Sequence, residues 1–174
     1  MEQEGGKAGR FEDGSDELIA ACIEVHRHVG PGLLESVYEQ CLAHEFALRG
    51  LRVERQRILP VIYKGFLLEH GHRLDLVVEE RFIVEVKAVE RLLPVHEAQV
   101  ITYLKLTGLT TALLVNFNVA ALRQGLRRLT KEQIILPPSR LPAFLFKIIQ
   151  ETGPAGACKL EPAPRSIKSP VSGY

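Results

Sequence analysis

The stretch RLDLVVEERFIVEVKAVE, residues 73 to 90, is strongly apolar, yet it carries Asp75, Glu85 and Lys87 in its interior. The side-chain period of a strand is two, so Glu85 and Lys87 share a face with Ile83 and Val89, while Val84, Val86 and Ala88 line the other. Both faces are then largely apolar, as in a strand buried on both sides, where an unpaired charge is expensive. These charges require partners or a metal. Asp75 stands between Leu74 and Leu76 in the same way. A two-residue turn would set Asp75 opposite Val86, on the wrong face, whereas a three-residue loop through Glu79, Glu80 and Arg81 sets it opposite Glu85. The sequence therefore predicts the odd loop, or a bulge equivalent to it, and a convergence of two carboxylates and one lysine.

Two carboxylates a few ångströms apart repel each other unless a divalent cation lies between them, and hard oxygen donors suit Mg²⁺ or Mn²⁺. Such an ion polarises a phosphodiester and acidifies a bound water, while a nearby lysine orients that water or balances developing charge. The chemistry indicated is phosphodiester hydrolysis. On spacing alone, a Glu85–Lys87 salt bridge with Asp75 capping a turn accounts for the same residues.

The elements that must position this trio follow from periodicity. Ser15-Asp16 is read as the cap of a helix through DELIAACIEVHRHVG, broken by Gly30-Pro31-Gly32, and LLESVYEQCLAHEFALRG as a second helix ending at Gly50. Residues 51 to 89 are rich in Val, Ile and Leu, with turn signals at Lys64-Gly65, His70-Gly71 and Glu79 to Arg81, and read as three strands. PVHEAQVITYLKLTG forms a helix closed by Gly108, LTTALLVNFN a buried strand, and VAALRQGLRRLTKEQ a final amphipathic helix with a basic face. The order is that of an α/β fold, a mixed sheet flanked by helices. Residues 1–15 are expected to form a disordered tail, residues 16–135 the single domain, and 136–174 a Pro-rich, flexible tail. On helical spacing Glu35 falls on the apolar arc of Leu34, Val37, Tyr38, Cys41 and Leu42, which calls for an explanation, although Glu45 falls there too. Gln99 and Tyr103 lie one turn apart on a half-buried face with His96 and Leu106.

Composition limits the alternatives. With 46% hydrophobic and 25% charged residues among 174, the chain can build one core. No apolar run approaches the roughly 20 residues that cross a bilayer, and the start is polar and acidic, so a soluble, cytoplasmic protein is expected. Three cysteines without metal or pairing spacing indicate neither zinc nor a disulfide framework. A net charge of +1 gives no global attraction to nucleic acid, so contact with it must rest on local patches. Arg49, Arg52, Arg55 and Arg57 form one cluster and Arg123, Arg127, Arg128 and Lys131 another, each either flanking a groove or forming a solvated face.

The spacing of Asp75 and Glu85-Val86-Lys87 resembles the D-x(n)-E-x-K core of the PD-(D/E)xK nuclease superfamily, and the αβββαβ order resembles its restriction-endonuclease-like fold. Gln99 and Tyr103 in QVITY resemble the Q-x-x-x-Y motif of RecB-like nucleases, and Gly32, Glu35 and Tyr38 in GLLESVY match the signature of the GxxExxY protein family, a resemblance covering roughly residues 16 to 130. It implies a Mg²⁺- or Mn²⁺-dependent nuclease in which Asp75 and Glu85 bind the ion, the Val86 carbonyl is a third ligand and Lys87 is the catalytic lysine. Glu35 would be a further ligand, direct or through water, and Gln99 and Tyr103 would steady the lysine or a phosphate. Leu74 stands where the superfamily pattern has proline. His72 receives no metal role and is expected to be an exposed turn histidine. The partner implied is nucleic acid, DNA in the first instance, with a homodimer through an edge strand or the first helix also open. The alternative function is a non-catalytic nucleic-acid-binding or protein-interaction module that retains the fold.

Overall fold

Burial of all six residues of Thr111–Asn116 marks the centre of the molecule, since a strand with no exposed position must be covered on both faces and paired along both edges. The structure is a computed structural model that describes residues 11–132. The elements, in chain order, are α1 (Ser15–Val29), α2 (Glu35–Leu48), β1 (Val53–Tyr63), β2 (Phe66–Val78), β3 (Phe82–Lys87), α3 (Pro94–Thr107), β4 (Thr111–Asn116), α4 (Leu122–Gly125) and β5 (Leu126–Thr130). They form one five-stranded mixed sheet in the order β1-β2-β3-β4-β5. Only the β3–β4 pair is parallel, and α3 makes its crossover.

The α1 and α2 helices cover one face of the sheet. Leu18, Cys22 and Val25 of α1 and Tyr38, Leu42 and Phe46 of α2 pack on Leu76, Val84, Val86 and Val115. Strand alternation puts Ile83, Glu85 and Lys87 on the other face, where α3 packs against β4 and β5. Buried Cys22, its thiol pushed up to about 12 by burial, is an inert core residue, as the sequence suggested.

Several expectations require correction. The final amphipathic helix is absent. A single turn, α4, is followed by β5, which pairs antiparallel with β4 from Thr111–Thr130 to Val115–Leu126. The apolar spacing of Leu122, Leu126 and Leu129 fits a helix, but β4 has a second edge whose amides and carbonyls need partners, and pairing overrides the period. Gly125 is where the chain switches, because a Cβ there would strike the Asn116 carbonyl. His70-Gly71 is likewise no turn but part of β2. The Val61 side chain fills the space beside Gly71 at a register shift between Leu59 and Val61, so only glycine fits. Nor does Ser15-Asp16 cap α1: the preceding residue is Gly14, in the left-handed region, and Asp13 instead accepts the amide and hydroxyl hydrogens of Ser15.

Asp13 also accepts bonds from Thr111 and Arg128, which outweigh its partial burial and hold its carboxyl far below the ordinary range. Together with Phe11, stacked under Arg128, it ties residues 11–14 to α1, β4 and β5, so this part of the expected tail belongs to the fold. Residues 1–10 and the expected 136–174 tail lie outside the described residues.

Candidate functional site

Strands β2 and β3 are joined by Glu79, Glu80 and Arg81, with Val78 paired to Phe82, Val77 to Ile83 and Leu76 to Val84. This is the odd loop, and one further step of its register, beyond the last paired residues, would set Asp75 opposite Glu85. Glu79 and Glu80 both adopt left-handed backbone angles, φ 53° and 52°. Their side chains are held by Arg52, just before β1, and by Arg57 of β1.

The ladder stops at Leu76–Val84, and the amide this frees on Val86 donates to Asp75 Oδ2 at 2.9 Å. Lys87 Nζ donates to Glu85 Oε1 at 2.7 Å. Glu85 is 2% exposed, and its second oxygen, Oε2, is buried with no hydrogen-bond partner. Burial first and the Asp75 charge second push the Glu85 carboxyl up to about 7. Asp75 is raised too, by burial and by Glu39 and Glu35, against the pull of the Val86 amide and Lys87. Burial lowers the Lys87 ammonium, but Glu85 and Asp75 outweigh it and the net shift is upward, so Lys87 stays charged.

Three other elements reach this spot. Asn116, at the end of β4, brackets Val89, accepting its amide and donating to its carbonyl, and so fixes the chain leaving β3. Glu35, in the first turn of α2, accepts the Ala88 amide at 3.0 Å. Tyr103 of α3 is buried and accepts a hydrogen bond from Gln99 one turn earlier; burial and the Glu85 charge raise its hydroxyl.

The structure thus gathers Asp75, Glu85, Val86 and Lys87 at the mouth of β2 and β3, with Tyr103 and Gln99 beside them and Glu35 at the rim. Glu35 shares the helix face of the buried α2 positions Tyr38, Glu39, Leu42 and Phe46, but as the first residue of the helix it is exposed. The whole arc is turned by one residue from the expected one, because the helix is oriented by Tyr38, which stacks on Phe117 at 4.5 Å. The Tyr38 hydroxyl donates to the Gly30 carbonyl and accepts the Leu33 amide, pinning the turn that contains Gly32 (φ 100°). Glu39 is the acid that sequence reasoning missed. It is 5% exposed, bonded by Arg55 at 2.9 Å and by the Gln56 amide, and it acts on Asp75. A glutamate at i+1 of a packing tyrosine was the available signal. Asn116 was missed as well, though a lone amide ending an apolar strand could have flagged it. His72 is not an exposed turn residue: it is half-buried in β2, edge-on to the Tyr103 ring at 5.4 Å.

The family model of the PD-(D/E)XK nuclease superfamily matches residues 12–129. The chain belongs to the PD-(D/E)XK nuclease superfamily. No curated protein and no solved structure matches it. Members of this superfamily use divalent ions on nucleic acid, and the residues here fit that chemistry. An acidic pair in which the Asp75 charge raises the Glu85 carboxyl, one oxygen of it buried and orphaned, is what a hard cation satisfies. Among the described residues no group of three or more His, Cys, Asp or Glu side chains gathers closely enough to hold an ion, so further donors must be backbone or water. No described helix of this nuclease-superfamily chain is long and apolar enough to cross a membrane.

The two basic clusters differ from expectation. Arg49, Arg52, Arg55 and Arg57 are each paired with a glutamate, respectively Glu45, Glu79, Glu39 and both Glu54 and Glu80. They brace α2, β1 and the β2–β3 loop and do not form a free phosphate-binding row. In the second cluster Arg128 is bound by Asp13 and Ser15, and Arg127 lies 4.0 Å from Glu97.

Proposed function

We propose that this chain is a Mg²⁺- or Mn²⁺-dependent nuclease of the GxxExxY, RecB-like type, hydrolysing phosphodiester bonds of DNA. The observation that carries the reading is the buried, partnerless Oε2 of Glu85, in a carboxyl that feels the Asp75 charge and has Lys87 on its other oxygen. Asp75, Glu85 and the Val86 carbonyl would hold the ion. Bound there, the ion supplies Lewis acidity to a phosphodiester and lowers the pKa of a water. Asp75 is fixed for this by the Val86 amide, which uses only one of its oxygens. Lys87, kept protonated by the two acids, orients the attacking water and balances charge on the scissile phosphate. Glu35 already accepts the Ala88 amide at the rim, which suits contact through a water better than direct ligation. Gln99 sets the Tyr103 hydroxyl next to the Glu85–Lys87 pair, where it can steady the lysine or a phosphate.

Calorimetric titration with Mn²⁺ and cleavage assays on duplex, single-stranded and branched DNA test this together. Wild type binds Mn²⁺ and cleaves; Asp75→Ala loses both; Lys87→Ala retains Mn²⁺ while cleavage falls by about 10²-fold or more. Unchanged Mn²⁺ affinity in Asp75→Ala, or a wild type inert on every substrate, ends the proposal.

A further inference from the structure

Beyond the Leu59–Val61 register shift, β1 and β2 run on as a two-stranded arm that has no other strand as a neighbour among the described residues. Its sequence, ILPVIYKGFLL from Ile58 to Leu68, contains a single charged residue, Lys64, whose ammonium lies over the Tyr63 ring. The arm is apolar on both faces. Tyr63 pairs with Phe66 on one, and Ile62 with Leu67 on the other, at 62%, 66%, 57% and 51% exposure. An isolated hairpin is marginal in water, and an uncovered apolar one invites association.

We propose that this arm is the interface of a homodimer, in which the arms of two copies pack together about a two-fold axis. Three observations favour a second copy. Ile58, Ile62, Tyr63, Phe66, Leu67 and Leu68 present roughly 700 Å² of surface at these exposures, close to the roughly 800 Å² that each partner of a standard interface buries. Depletion of charge is the mark of homodimer interfaces, whereas a nucleic-acid contact would require cations that the arm lacks. The arm also has one usable edge. Pro60 removes a donor from β1, but β2 from Phe66 to Arg73 has no proline and, among the described residues, no strand on its outer side, and a strand paired antiparallel with its own copy obeys two-fold symmetry. An arm exposed in every molecule needs a partner present in equal amount, and another copy always is.

Sedimentation velocity of the full chain at micromolar concentration tests this without reference to catalysis. Wild type is expected at twice the chain mass. Phe66→Glu/Leu67→Glu is expected at the monomer mass with an unchanged circular dichroism spectrum, and Leu48→Glu, on a residue 70% exposed at the end of α2, at the dimer mass. Hydrogen exchange provides a second readout in unaltered protein, with amides of residues 66–73 slowing as concentration rises. A monomeric wild type overturns the proposal. So does a dimer that survives the double substitution, or an arm whose substitution weakens DNA binding in a protein monomeric throughout.

Discussion

At the residue scale, Glu85 has one oxygen satisfied by Lys87 and one by nothing, and this imbalance has a measurable consequence in the metal-free protein. Its carboxyl is raised from 4.5 to about 7, so the folded state holds a proton that the unfolded state has released. The associated stability is full below pH 4.5 and is lost as pH rises through 7. At 1.36 kcal/mol per unit, the loss is on the order of 3 kcal/mol. Urea denaturation of chelator-treated protein at pH 5 and pH 8, with Glu85→Gln as reference to subtract the histidines, reads it directly. Wild type should lose stability relative to Glu85→Gln across this window, and excess Mn²⁺ should restore it at pH 8. A relative gain with pH would mean that the buried oxygen is not orphaned. The sequence made Asp75, Glu85 and Lys87 legible because charges inside apolar strands stand out against a period of two. Glu39 escaped notice because a helix is legible only to within its rotation, and one residue of rotation brings Glu39 onto the buried arc.

Elements position the site through small polar contacts that sequence patterns do not encode. α2 reaches the residue that follows β3 through Glu35 and the Ala88 amide, and its start is set by the two hydrogen bonds of Tyr38 to the Gly30–Leu33 turn. Tyr38→Phe keeps the stack on Phe117 but leaves the Gly30 carbonyl and Leu33 amide unpaired, which costs about 1–2 kcal/mol. The expected outcome is a lower urea midpoint together with faster hydrogen exchange at Ala88, since Glu35 rides on the loosened turn. A midpoint shift with unchanged Ala88 exchange would separate the two. Helices α1, α2 and α3 and strand β4 were legible because their periods are long and bounded by Gly or Pro. β5 was not: LRRLT is too short for its period to outweigh a helical one, and only the need of β4 for an edge partner decides it. His70-Gly71 misled for a related reason, since a glycine needed for close approach to Val61 is indistinguishable in sequence from one needed for a turn.

For the whole molecule, the decisive quantity is how many cations remain free once the internal ion pairs are made. The eight basic residues of the two sequence clusters could flank a substrate groove or form solvated faces, and six of them are engaged, five by acids within 3.2 Å and Arg127 by Glu97 at 4.0 Å. Among the described residues, six basic side chains are exposed and form no ion pair; Lys64 is taken up by the Tyr63 ring and Arg81 by the Phe82 ring and the Asp13 carbonyl, which leaves Arg73, Arg91, Arg123 and Lys131. Arg73 precedes Asp75 by two on β2, and Arg91 lies in the segment that leaves β3, so two of the four stand near the acidic site. A DNA-binding surface with about four phosphate contacts has a logarithmic salt slope near −4, because each neutralised phosphate contributes about −0.9. Binding to a duplex in Ca²⁺, which supports association without turnover, should therefore weaken only moderately between low and physiological salt. Arg73→Ala or Arg91→Ala should each flatten the slope by about 1. Arg55→Ala should leave the slope unchanged and reduce stability instead, since its charge is spent on buried Glu39. A wild-type slope twice as steep would require the arginine–glutamate braces of α2, β1 and the β2–β3 loop to open on the substrate, and β1 and α2 would then have to move whenever DNA binds.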